Sequence, residues 1–138
     1  MKKVISFNQA AIICLYLLSL LVLFHFAVIM GILVFEYAPV AFLWGGQMQT
    51  SEQLLYFEGA SLVISALIFL VVAVRTQRLY VPKLARIARM ATWLLFLLFL
   101  LNTLGNLLAQ TSFERYFALV TGLLAFLLLR IAREKLPS

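Results

Sequence analysis

One cysteine, one histidine and few charges stand in this sequence, and each scarcity removes a class of chemistry. With Cys14 alone, an internal disulfide and a CxxC redox or metal pair are impossible. With His25 alone, a haem held by two histidines of one protomer is excluded. No cofactor is expected, and no cluster of metal-ligating residues stands out. Only 12% of the residues are charged and 65% are hydrophobic, whereas soluble domains run at about 25% and about 45–50%. A chain of 138 residues cannot hide that much apolar surface inside itself, because small folds leave a large share of their surface exposed. The mean hydropathy of +1.09 agrees: the solvent is lipid.

What is there is four long apolar runs, at about 9–35, 51–74, 83–109 and 112–133. Each is near the ~20 residues that a helix needs to cross a bilayer. None shows the two-residue alternation of a barrel strand, and a helix pairs its own backbone amides in hydrocarbon. The expected fold is an all-α integral membrane protein, a four-transmembrane-helix antiparallel bundle. Lys2 and Lys3 resemble the start of a signal peptide, but the apolar run continues to Phe35. That exceeds the ~7–15 residues of a signal core, so a retained first span is expected. The outer loop, 36–50, carries Pro39, Trp44, Gly45 and Gly46, which are helix-breaking, interface and turn residues. Thr50 with Gln53, and Thr111 with Glu114, read as capping boxes opening the second and fourth spans. Pro82 suits the first position of the third.

Charge placement orients the bundle. Lys2 and Lys3, then Arg75, Arg78, Lys83, Arg86 and Arg89, then Arg130, Arg133 and Lys135 all fall on one side; Arg115 alone falls on the other. Glu36, Glu52, Glu58 and Glu114 lie toward the second side. Short loops rich in Lys and Arg stay in the cytoplasm, so both termini and the basic inner loop 75–82 are expected inside. Arg75, Arg78, Lys83, Arg86 and Arg89 are expected to meet anionic lipid headgroups. Nothing resembles a nucleic-acid-reading module, and no nucleic acid partner is expected.

Polar side chains within the spans carry the functional information, since ionisable groups at membrane depth are costly and usually face the bundle interior. Glu58, Ser61 and Ser65 share one face of the second span. Asn102, Asn106 and Gln110 recur every four residues on the third, and His25 lies on the first. All belong to the outer half. One reading is that they hydrogen-bond helices together. The sharper reading is a polar cavity open to the outside, with Glu58 as its charge and His25 or Asn102 as partner, where a carboxyl and an imidazole can share a proton. Trp44, Gly45 and Gly46 read as interface and turn residues, or as a recognition lip over that cavity. Gln49-Thr50-Ser51 is echoed by Gln110-Thr111-Ser112, each before an outward-starting helix.

Trp44-Gly45-Gly46, Phe57-Glu58 with Ser61, the run Leu101-Asn102-Thr103-Leu104-Gly105-Asn106-Leu107 with Ala109, and then Glu114 resemble a pattern in small bacterial four-span membrane proteins of uncharacterised function. The resemblance covers about residues 40–130. It implies no activity, but it implies a bacterial cytoplasmic (inner) membrane and a polar signature at these positions. Small multidrug transporters fit less well, because their membrane glutamate lies in the first span. Vitamin-K-reductase-like proteins fit less well because they need cysteine pairs.

Three functions remain. A structural or accessory role through helix contacts, in a homo-oligomer or a larger membrane complex, is favoured by small size and by the want of a catalytic constellation. The alternative is a small binder or transporter with an outward-facing polar pocket, proton-coupled through Glu58. An enzyme using His25 and Glu58 as acid and base is the third, with no nucleophile to support it.

Overall fold

A computed structural model describes residues 4–135; Lys2 and Lys3, used above for orientation, lie outside the described residues. Four helices follow in order: α1 (Phe7–Phe35), α2 (Ser51–Arg75), α3 (Ala85–Leu107) and α4 (Ser112–Ala132). Neighbours pack α1 on α2, α2 on α3, α3 on α4 and α4 on α1. Short connections make each pair antiparallel, so the four form a ring about one axis. All four are long and apolar enough to cross a membrane, with the third span counted from Pro82 to Leu107. Large apolar side chains such as Ile12, Leu23, Val63, Leu94 and Leu119 point outward, as a lipid solvent permits. This is a multi-pass, four-helix membrane bundle.

The helix ends show where local chemistry departs from the simple pattern. The complete capping box is at Ser6 and Gln9, which exchange both bonds at the start of α1. Thr50 and Thr111 do cap α2 and α4, but their boxes are half-formed. Gln53 reaches back one residue further, to the amide of Gln49. Glu114 turns its carboxylate to the Thr111 hydroxyl and away to another element. The third span begins as a 3₁₀ turn, Pro82–Leu84, before α3 proper. α3 ends at Leu107 rather than 109. Beyond it, Arg115 donates to the carbonyls of Ala109 and Gln110 at 2.9 and 3.2 Å. The single outer cation thus sits where the negative end of a helix dipole attracts it.

The packed core lies in the half of the bundle nearer the two termini, the inner half of the expected orientation. Ala10, Cys14 and Leu18 of α1, Val72 of α2 and Leu124, Leu127, Leu128 and Ile131 of α4 form one cluster, closed above by Ile68 and Phe99. The first turns of α1 and the last turns of α2 and α4 meet there, so this end is solid. Its polar edge is tied down by arginines. Arg75, expected among the headgroup-facing cations, is 4% exposed. It donates to the carbonyls of Ile131 and Glu134 at 3.1 and 2.6 Å. Helix ends leave such carbonyls without partners, and the buried guanidinium supplies donors to them. Arg130 pairs with Glu134 at 2.7 Å and donates to the carbonyl of Ile5. Arg78 donates to Asn8. Lys83, Arg86 and Arg89 remain exposed.

Candidate functional site

The outer half of the bundle is hollow. Glu58 lies seven residues inside the start of α2 and His25 ten residues inside the end of α1. At ~1.5 Å per residue both sit roughly 10–15 Å below the outer helix ends. His25 Nδ1 is 2.7 Å from Glu58 Oε2. One hydrogen bond joins them, with the imidazole tautomer setting which atom donates. The second carboxylate oxygen accepts from Trp44 Nε1 at 3.0 Å. Glu58 is 1% exposed, so its charge is met by two directed donors from two other elements, as a buried carboxylate requires.

Trp44 reaches Glu58 because the loop turns the wrong way round. Trp44, Gly45 and Gly46 have φ of 53, 68 and 68°, three successive left-handed residues. A side chain in that region costs about 1–2 kcal/mol, and glycine avoids the cost. Two glycines keep the turn affordable and leave Trp44 as its one strained member, held by its bond to Glu58 and by Phe57, with ring centroids 5.3 Å apart. The turn also presents the Gly45 amide to Glu114 Oε1 at 2.7 Å. Glu114 Oε2 accepts from the Thr111 hydroxyl at 2.9 Å. One loop therefore touches the carboxylates of both α2 and α4.

Beneath this turn is a partly open cavity of about 480 Å³. His25, Trp44, Glu58 and Glu114 stand at its polar side, with Ser61, Ser65, Asn102, Asn106 and Thr121 around them. Phe24, Phe99, Phe113 and Phe117 supply most of its apolar wall, and Ile68 with Phe99 joins its floor to the core. Asn106 and Thr103 both reach the Thr121 hydroxyl, at 3.4 and 3.1 Å, tying α3 to α4. Ser61, Ser65 and Asn102 have no protein hydrogen-bond partner among the described residues. Ser65 is nonetheless 4% exposed. No family model, curated protein or solved structure matches this chain.

Of the residues singled out from sequence, His25, Trp44, Glu58, Ser61, Ser65, Asn102 and Asn106 come together around one space. Gln110 does not. The four-residue spacing carries it onto the stripe only if α3 continues, and the helix stops at Leu107; Gln110 is exposed and its carbonyl serves Arg115. Gly45 and Gly46 shape the loop and do not line the cavity. Asn102 lines the cavity but is no partner of Glu58; Trp44 takes that place. Sequence reasoning did not place Glu114 among the cavity residues, reading it as a cap and as part of the resemblance pattern. It also missed Thr121 and the phenylalanine wall, which in an apolar helix carry no distinguishing signal. The described residues hold no group of three or more side chains able to bind a metal ion.

Proposed function

We propose that this protein is a small-molecule binder of the membrane, whose ligand sits in the outer-half cavity against the His25–Glu58 pair. One observation carries the reading: a buried carboxylate, held by two donors from α1 and the α1–α2 loop, faces a cavity of about 480 Å³. That volume falls within the range of about 300–1,000 Å³ typical of ligand sites, and mostly apolar walls with a few placed polar groups are their usual make-up. A purely structural role leaves the hollow without purpose, since side chains that only join helices bond to each other, as Thr103 and Thr121 do. Ser61, Ser65 and Asn102 instead turn toward the cavity without protein partners. Trp44, Glu58, Ser61, Asn102, Asn106 and Glu114 line this one space together with His25 of α1.

The proton held between His25 and Glu58 gives the site a means of coupling. A ligand group that takes over one partner changes the proton's affinity for the pair, and by linkage the proton changes the ligand's. Glu114 is the only other acidic group lining the cavity, and α3 contributes only amides to its polar side.

The reading places the protein in a bacterial cytoplasmic membrane with both termini inside and the 36–50 loop outside. Two measurements check it. A fluorescent reporter inserted after Gln77 is expected to be active in the cytoplasm, and a periplasmic phosphatase reporter placed in the 36–50 loop to be active outside; the reverse pattern overturns the orientation. For the pocket, Ser61→Cys and Asn106→Cys are expected to react with a membrane-impermeant thiol reagent applied from outside. Cys14 is fully buried and stays silent. If both introduced thiols are as inert as Leu100→Cys on the lipid face, the outward-facing pocket is refuted.

A further inference from the structure

Resting on the pocket reading, we infer that the ligand is an amphipathic organic cation. The cavity lining includes two carboxylates, Glu58 and Glu114, and no lysine or arginine. Its one basic group, His25, is already committed to Glu58. The Glu114 carboxylate is held in place by the Gly45 amide and the Thr111 hydroxyl rather than by a cation. A carboxylate accepts up to about four hydrogen bonds, so both keep capacity toward the cavity. An anionic ligand would face carboxylates with no lysine or arginine in the lining to meet it, whereas a cation is drawn to them.

The aromatic wall favours the same class. Phe24, Phe113 and Phe117 stand together with ring centroids 5.9–6.1 Å apart, and a cation near such faces is attracted by their quadrupoles. Ser65 adds a hydroxyl from α2 to the cavity lining. A second, wholly apolar cleft of about 240 Å³ shares Phe24, Leu43 and Phe113 with the main cavity. It offers room for an apolar tail behind a charged head. Ile64 and Leu98 line the main cavity yet are 53% and 42% exposed. They mark a side opening between α2 and α3 that faces acyl chains, through which a molecule dissolved in the bilayer can pass.

The test uses the full chain in lipid nanodiscs with Trp93→Phe, so that Trp44 is the sole tryptophan and reports from the cavity wall. Tetraphenylphosphonium is titrated against its neutral relative triphenylphosphine oxide. The cation is expected to perturb Trp44 and to bind roughly tenfold or more tightly than the neutral compound, about 1.4 kcal/mol in affinity, with that preference lost in Glu114→Gln. Equal binding of the two compounds overturns the cationic class while leaving a working pocket. A Trp44 signal unmoved by either overturns the inference outright, and the thiol accessibility of Ser61→Cys and Asn106→Cys then decides the pocket reading separately.

Discussion

Glu58→Ala is expected to destabilise the bundle by roughly 3–5 kcal/mol, the usual cost of removing one partner of a buried ion pair. Two donors lose their acceptor at once: His25, whose side chain is 13% exposed, and the Trp44 indole. Both are left on the cavity wall without that acceptor, and an unmet buried donor costs far more than a met one gains. The left-handed turn at Trp44 also loses the bond that holds it. The decisive comparison is with a double variant. His25→Leu combined with Glu58→Leu removes the pair together, and replacing a buried pair by apolar groups is often neutral or stabilising. The double variant is therefore expected to melt above Glu58→Ala but below the parent protein, because the Trp44 indole still lacks its acceptor. Thermal unfolding in detergent, followed by far-ultraviolet circular dichroism, reads both. If Glu58→Ala melts with the parent protein, the pair contributes nothing and the geometry of the site has no energetic weight.

Arg75→Met is expected to cost about 2 kcal/mol and to loosen the inner end of α4. Hydrogen bonds from a charged donor are worth about 1.5–3 kcal/mol, and Arg75 makes two, to carbonyls at the end of α4. Part of that gain is already offset, because Arg75 Nε is buried without a partner. Methionine keeps the apolar bulk of the stem, so the remaining loss isolates the guanidinium. Amide hydrogen exchange over residues 129–134 is expected to quicken several-fold, while the outer half of α4 stays protected. Unchanged exchange in that segment would show that Arg75 is held by the helix end and does not hold it.

Arg75 also shows why the fold was easier to read from sequence than the site. The four spans follow from hydropathy alone, because in lipid any long apolar run must close its own hydrogen bonds and only a helix does so locally. Their ends needed less certain signals, and half-formed caps at Gln53 and Glu114 came from side chains finding better partners one residue back or across the bundle. A basic residue at a helix end looks the same in sequence whether it faces phosphate or turns inward. The polar stripe of α2 was visible because Glu58, Ser61 and Ser65 are rare residues in an apolar background. Trp44 was visible, but its reach to Glu58 was not, since that depends on a left-handed turn that no periodicity announces. Glu114 was hidden by doing a second, local task at the start of its helix.

A solid inner half beneath a hollow outer half has an electrical consequence. Where the outer cavity is wet, the potential across the membrane falls mainly over the plug of Leu18, Leu124 and Leu128. An elementary charge moved through the full potential gains about 2.3 kcal/mol per 100 mV, but a charge arriving at Glu58 from outside crosses little of it. Voltage would act on this protein only at a step in which that plug parts.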